Sequence, residues 1–132
     1  LPEIGDTGYY GRLREEIRSR GISSHWHFQI EPCQAYPIIA ASHLFLRPTI
    51  TDGFSLSLAE AIHYGVPAVA SDACRRPDGV VVFRNRDQAD LEATVRDVLE
   101  HYDLYRERAA QIVEHDYAKE LAEIYREVLA GG

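Results

Sequence analysis

Two acidic residues, Asp52 and Glu60, lie eight positions apart around the predicted start of a helix near Ser55. A short apolar segment closed by Pro48 precedes them, and Gly53 allows the chain to turn sharply into the helix. Because the first amides of a helix lack intrahelical acceptors and lie at the positive end of its dipole, this loop is suited to a phosphate. The amides concerned are those of Phe54, Ser55, Leu56 and Ser57. The two carboxylates would repel a phosphate, so they are better suited to accept hydrogen bonds from the hydroxyls of a sugar.

The spacing of the two acids alone leaves simpler interpretations open. Asp52 has the residue type that turns and helix caps favour, and Glu60 could be a solvated position on a helix. The pair is therefore informative only together with its structural setting.

The elements that must position this loop follow one another in strict alternation. Apolar runs and glycine stops predict strands and helices in the order strand, helix, strand, helix, strand, helix, strand, strand, and then three helices. The predicted strands are 1–5, 25–30, 43–47, 66–70 and 80–83, and the helices are 9–20, 34–41, 55–64 and three stretches after Asp87. Such alternation predicts a doubly wound α/β fold, with a parallel sheet, helices on both faces and C-terminal covering helices. Ligands of such sheets bind beyond the carboxyl ends of the strands, which directs attention to loops 5–8, 48–55 and 71–79.

Composition limits the classes of function. The 132 residues suffice for one domain, and 45% apolar with 27% charged residues is typical of a globular protein. A net charge of −7 argues against a nucleic-acid partner and against electrostatic docking on a membrane, and no apolar run is long enough to span one. Cys33 and Cys74 have no metal-ligand spacing, so we expect no metal site and a reduced, cytoplasmic protein. The chain lacks Met and opens on Leu1, so we expect it to be a piece of a longer protein.

Residues 44–72 resemble the C-terminal domain of the GT-B glycosyltransferases of the large retaining family 4. That family carries an acid-Gly-Phe-Gly-x-x-x-x-Glu-Ala motif, followed by a Gly-x-Pro-x-Val-Ala-Ser-Asp strand. The matching residues here are Asp52, Gly53, Phe54, Ser55, Glu60, Ala61, Gly65, Pro67, Val69, Ala70, Ser71 and Asp72. The resemblance extends outward to the Gly5-Asp6-Thr7-Gly8 turn and the closing helices, and it implies a Rossmann-like domain that binds a sugar nucleotide.

The resemblance implies a role for each matching residue. Glu60 would bind the ribose hydroxyls, Asp52 would contact the transferred sugar during catalysis, and the backbone around Gly53 would hold the sugar and the diphosphate. The amides implied are those of Phe54, Ser55 and Leu56. Ile30 and Glu31 would lie near the nucleobase. The donor would be a nucleoside-diphosphate sugar, no metal or other cofactor is implied, and the acceptor would bind a separate N-terminal domain of the same chain, which would also make any membrane contact.

The sequence departs from the family pattern at three places. The first acid is Asp52 where the family usually has Glu, and Ser55 replaces the second glycine of the loop. Arg75 and Arg76 follow the second motif, where either could face the diphosphate or simply be solvated.

An alternative function is a non-catalytic, flavodoxin-like or receiver-like module that binds a nucleotide or a protein. A receiver, however, has no reason to carry the Asp52 and Glu60 pair joined to the Gly65-x-Pro67 strand.

Overall fold

The computed structural model describes residues 7–112 and 117–130. The chain divides into two units, Leu1–Ala35 and Tyr36–Gly132. The described helices are α1 (Thr7–Ser19), α2 (Tyr36–Ala40), α3 (Leu56–His63), α4 (Gln88–Glu100), α5 (Tyr102–Ala110) and α6 (Tyr117–Ala130). The described strands are β1 (Phe45–Arg47), β2 (Ala68–Ser71) and β3 (Val81–Phe83).

The first unit consists of α1 and the segment that follows it. Ile17 is buried, as the amphipathic pattern of the helix predicts. Gly21 adopts a positive φ of 68°, and the amides of Gly21 and Ile22 donate to Arg18 and Ile17. This pairing ends the helix in the manner that left-handed glycine favours. The predicted helix and its glycine stop are therefore confirmed.

The prediction of a strand over 25–30 is wrong. Ser23–His25 form a single 3-10 turn, and the described residues of the first unit contain no strand. The ring of Phe28 packs instead against the rings of Tyr10 and Trp26, with centroids 5.1 and 5.8 Å away. Alternating aromatic residues indicate a half-buried face, but a strand also needs a partner for its backbone groups, and alternation does not report that partner. The predicted strand over 1–5 lies outside the described residues.

The second unit contains a parallel sheet in the order β1-β2-β3. Leu46 of β1 lies beside Val69 of β2, and Val69 lies beside Val81 of β3. Helix α3 connects β1 to β2, as parallel strands require a crossover. The connection from β2 to β3 is a loop, 72–80, that contains no helix.

Helices cover both faces of this sheet. The side chains of Ala68 and Ala70 pack in a core with Leu58 of α3, whereas Val69, between them, packs with Val98 of α4. This alternation follows from the two-residue period of a strand. All four residues of β2 are buried, which confirms the expectation that this apolar strand is covered on both faces.

The buried face and the C-terminal end of helix α3 are defined by its own sequence. Leu58, Ala61 and Ile62 repeat at helical spacing and are buried against the sheet. At the end of the helix, Gly65 has φ 68°, and the amides of Gly65 and Val66 donate to Ile62 and Ala61. Helix 55–64, its glycine stop and the α/β class with a parallel sheet between helices are thus confirmed. No helix in the described ranges combines the length and apolar character needed to cross a bilayer.

Candidate functional site

The carboxyl ends of the three strands form one edge of the sheet. β1 ends at Arg47, β2 at Ser71 and β3 at Phe83, and since all three are parallel, loops 48–55, 72–80 and 84–87 leave from the same edge. This edge is where open α/β sheets bind ligands. The candidate site therefore lies within the second unit.

Asp52 lies at the centre of a hydrogen-bond network in this edge. Its Oδ2 atom accepts from Arg47 Nε at 2.6 Å, Arg76 Nη1 at 2.8 Å and Thr49 Oγ1 at 3.1 Å. Its Oδ1 atom accepts from Arg47 Nη2 at 3.1 Å and from the amide of Gly53 at 2.9 Å. The side chain is only 10% exposed. Because an ionised carboxylate offers about four lone-pair positions, protein donors fill the acceptor capacity of Asp52.

The charge of Asp52 is strongly stabilised by these donors. The hydrogen bonds from Arg47 and then from Arg76 hold the pKa of the Asp52 carboxyl well below its ordinary range, against the opposing effect of burial. In turn, the hydrogen bond to Asp52 raises the pKa of Arg47. The cluster of Arg47, Asp52 and Arg76 thus contains two positive charges and one negative charge.

Arg76 is the most enclosed member of the cluster, with a side chain 2% exposed. Its Nε donates to the carbonyl of Ser71 at 2.7 Å and its Nη2 donates to Ser71 Oγ at 3.1 Å. Longer contacts reach Thr49 Oγ1 at 3.4 Å and the Gly53 carbonyl at 3.5 Å. The interpretation of Arg76 as a solvated residue is wrong, because its guanidinium is surrounded by protein acceptors. The alternative that Arg75 or Arg76 faces the diphosphate stays a prediction. Arg75, by contrast, is exposed.

Loop 48–55 enters α3 through a residue with an unusual backbone. Ser55 precedes the helix with φ 64° and ψ 87°, in the left-handed region that disfavours residues with a Cβ. Its hydroxyl makes no cap bond to the helix and lies 3.2 Å from Ser57 Oγ. This is the position where the sequence pattern led us to expect glycine. The chain thus keeps the conformation that glycine would favour, at a cost in strain.

Glu60 and Leu56 lie on one exposed face of α3. Residues four apart on a helix are neighbours, and side chains lean toward the amino end of the helix. Leu56 is 75% exposed, and within the described part of the chain the Glu60 carboxylate is exposed and has no hydrogen-bond or ion-pair partner. The face opposite carries the buried Leu58. A ligand at the start of α3 would therefore have an available carboxylate one helical turn away.

The remaining predicted residues are divided between the units. Gly53 and Phe54 are exposed within loop 48–55, next to Asp52. Ile30 and Glu31 belong to the first unit, where both are exposed and the Glu31 carbonyl accepts from Gln29 Nε2. The structure therefore brings three predicted residues together, since Arg76 contacts both Asp52 and Gly53.

Sequence reasoning missed several residues of the network. Arg47 and Thr49 bind Asp52, and Ser71 Oγ donates to the Thr49 carbonyl. A charged Arg47 at the end of an apolar strand, five positions before an acid, was a signal that could have identified the first pair. The Cys74 thiol donates to the Gly53 carbonyl at 2.8 Å, and no local pattern indicates that contact.

Asn85 makes a second connection between the loops. Its backbone N–H donates to Asp72 Oδ1 at 2.7 Å, and its side-chain Nδ2 donates to the carbonyl of Ile50 at 3.0 Å. Its Oδ1 is buried, with no hydrogen-bond partner in the described ranges. Asn85 thus connects the three loops 48–55, 72–80 and 84–87 by hydrogen bonds.

The chemistry open to this edge is the binding of an anion and of hydroxyl groups. The amides of Leu56 and Ser57, in the first turn of α3, have no intrahelical acceptor. Across residues 7–112 and 117–130, no cluster of three or more His, Cys, Asp or Glu side chains is placed to hold a metal ion. The expectation that the protein needs no metal stays a prediction.

Comparisons with known proteins agree with this architecture. The sequence model of the family described as glycosyl transferases group 1 matches residues 4–101, which is more than half of the chain. Among solved structures, a sucrose-phosphate synthase from Thermosynechococcus elongatus has the same fold, with a TM-score of 0.70 at 17% identity. The match covers 92% of this chain and 34% of the synthase chain, and it makes the fold Rossmann-like. No curated protein sequence matches the chain at a significant level.

Proposed function

Because the chain belongs to the glycosyl transferases group 1 family, we propose that it is the donor-binding, C-terminal part of a retaining glycosyltransferase of family 4 type. It would bind a nucleoside-diphosphate sugar, whose bond between the anomeric carbon and the diphosphate breaks as a bond to an acceptor hydroxyl forms. The acceptor would bind an N-terminal domain of the same chain. The proposal includes no metal and no cofactor besides the donor.

The start of α3 is the observation that carries this proposal. The Ser55 backbone, at φ 64°, leads into a helix whose first amides have no intrahelical acceptor. A diphosphate bound there would gain from the helix dipole and from the amides of Phe54, Ser55 and Leu56. As the donor bond breaks, negative charge grows on the leaving diphosphate, and donors already in place stabilise that charge.

Glu60 would bind the ribose hydroxyls of the donor. Its carboxylate is exposed and has no partner within the described part of the chain, one helical turn beyond Leu56. A carboxylate accepts two hydrogen bonds from neighbouring hydroxyls without a change in its own charge. Glu60 and the helix start together would thus bind the two ends of a ribose phosphate.

Asp52 and Gly53 would contact the transferred sugar. Among the side-chain donors that residues 7–112 and 117–130 supply to the Asp52 carboxylate, the Thr49 hydroxyl is the neutral one, at 3.1 Å. We expect a sugar hydroxyl to replace that one donor, since the exchange leaves both guanidinium groups in place. Gly53 is exposed and has open space around its Cα, so the sugar can approach the backbone there.

Arg75 would add a further contact to the donor. It is exposed in loop 72–80 and would face the diphosphate. Cys33 and Cys74 are both free thiols, which supports a cytoplasmic location, where thiols stay reduced.

Calorimetric titration of UDP, GDP and ADP into the chain tests the proposal. The 2′-deoxy form of each diphosphate is titrated in the same way for comparison. Loss of a hydrogen bond to a charged group lowers affinity about tenfold. Glu60→Gln should therefore lower the affinity for the diphosphate that wild type binds most tightly by about that factor. The deoxy ligand should bind wild type more weakly than the ribose ligand, and Glu60→Gln should lose this discrimination. The matched control is Glu100→Gln, an exposed glutamate at the end of α4.

The proposal fails if none of the diphosphates binds the wild-type chain. The role of Glu60 fails if the variant still discriminates between ribose and deoxyribose ligands as wild type does.

A further inference from the structure

We propose that Arg76 is a positioning residue that holds loop 48–55, through Asp52, in the conformation that the donor site requires. This inference rests on the proposed function, and it assigns Arg76 no contact with the donor. The observation behind it is a buried guanidinium that joins the last residue of β2 to loop 48–55.

The anchor of this arrangement lies in the core. Arg76 donates to the carbonyl of Ser71 at 2.7 Å and to Ser71 Oγ at 3.1 Å. Ser71 is the last residue of β2, every residue of which is buried. The guanidinium is therefore attached to the most enclosed strand of the described sheet.

The other side of the same guanidinium attaches to the loop. Nη1 donates to Asp52 at 2.8 Å and contacts the Gly53 carbonyl at 3.5 Å. Arg47 also binds Asp52, but it comes from the strand that leads directly into the loop, and its side chain is 35% exposed. Of these two arginines, Arg76 is the one that joins the loop to a different strand.

The loop needs such a restraint because of Ser55. A left-handed conformation in a residue with a Cβ is strained and persists only where surrounding contacts enforce it. Ser55 has this conformation with φ 64°, three residues after Asp52 and directly before α3. The contacts of Arg76 with Asp52 and Gly53 lie immediately upstream of it and oppose relaxation of the loop.

The donor set of arginine fits this role, and that of lysine does not. Arg76 uses Nε, Nη1 and Nη2 in different directions, toward Ser71 and Asp52 at once. A lysine has a single nitrogen at the end of its side chain and cannot reach both anchors from the same position. If Arg76 acts by position, Arg76→Lys should bind the diphosphate little better than Arg76→Met, although lysine keeps the positive charge.

The experiment compares Arg76→Lys and Arg76→Met with wild type and with Arg106→Met, a matched control at an exposed position of α5. Hydrogen exchange is measured on peptides covering 48–58. The diphosphate that binds wild type, and its parent nucleoside, are titrated into each protein. We expect exchange in 48–58 to rise about tenfold or more in both Arg76 variants, with diphosphate affinity about tenfold lower and nucleoside affinity unchanged. Arg106→Met should match wild type in every measurement.

The diphosphate affinity of Asp52→Asn distinguishes a positioning role of the cluster from a purely electrostatic one. The substitution raises the net charge of the cluster, so a purely electrostatic role predicts tighter diphosphate binding. A positional role predicts weaker binding, because the amide accepts fewer of the hydrogen bonds that the carboxylate accepts.

The outcomes distinguish the two proposals. If wild type binds a diphosphate and both Arg76 variants bind it equally well, the positioning role is overturned and the proposed function stands. If nucleoside affinity falls together with diphosphate affinity, or Arg76→Lys restores wild-type behaviour, the positioning role is also overturned. If wild type binds no diphosphate, both proposals fail.

Discussion

Arg76 Nη1 lies 2.8 Å from Asp52 Oδ2, although the two residues are 24 positions apart in the chain. The contact exists because β1 and β2 are parallel neighbours, so the loops after both strands leave the sheet at one edge. One ion pair thereby connects the two loops of the candidate donor site.

We expect the contribution of Asp52 to stability to depend on pH. Hydrogen bonds from Arg47 and Arg76 lower the pKa of this carboxyl in the folded state. Its contribution is therefore fully present above the ordinary aspartate pKa of about 3.9 and is lost as the pH falls toward the lower, folded-state value. Urea unfolding at pH 7, 5 and 3 should show wild type more stable than Asp52→Asn at pH 7 and 5, with a smaller difference at pH 3. A difference that stays constant across this range would contradict the assignment.

Replacing Ser55 with glycine should stabilise the protein. Relief of the left-handed strain, less the added entropy of glycine in the unfolded chain, gives an expected gain of about 0.5–1 kcal/mol. Chemical denaturation measures the change. Ser57→Gly, two positions further and inside α3, serves as the control and should destabilise by about 0.5 kcal/mol. Equal effects at the two positions would show that the backbone of Ser55 is not strained.

Truncation of Leu58 should be strongly destabilising. This side chain is fully buried between α3 and the sheet, so Leu58→Ala should cost about 2–5 kcal/mol of unfolding free energy. Leu56→Ala on the exposed face of the same helix should change stability by less than about 0.5 kcal/mol. Thermal and urea unfolding of both variants test this contrast. A comparable loss of unfolding free energy in both would contradict the assignment of the buried face of α3.

Helix α4 should depend on its N-terminal cap. Asp87 precedes the helix, and its Oδ1 accepts from the amide of Asp90 at 3.0 Å. Asp87→Ala should reduce the unfolding free energy by about 1 kcal/mol, whereas Asp87→Asn, which keeps the capping oxygen, should stay close to wild type. Urea denaturation at neutral pH distinguishes the two variants. A loss of equal size in Asp87→Asn would attribute the effect to charge instead of the cap.

The helices and their ends were predictable because they depend on local sequence. The apolar spacing of Leu58, Ala61 and Ile62 defines the buried face of α3, and glycine at position 65 ends it through its own backbone preference. The same spacing places Glu60 with Leu56 on the outer face. The ribose role of Glu60 came from the family resemblance and stays a prediction, with which the exposure of its carboxylate is compatible.

The prediction of a strand over 25–30 was wrong because a strand, unlike a helix, depends on residues far away in the chain. Alternating Trp26 and Phe28 indicated a face that packs, and that face does pack within the first unit. Pairing of the backbone, however, depends on a partner elsewhere in the chain, which local alternation does not report.

The amino-acid sequence thus carries enough information to predict the α/β class, the helix at 55–64 with its glycine stop, the family motif and the position of Glu60 on the outer face of α3. The helix, its stop and the position of Glu60 depend on residues within a few positions of one another. The partners of Asp52 and the burial of Arg76 became apparent only in the folded molecule. Whether Arg76 meets solvent or a carboxylate 24 residues away depends on the register of β1 beside β2, and that register is a property of the assembled sheet.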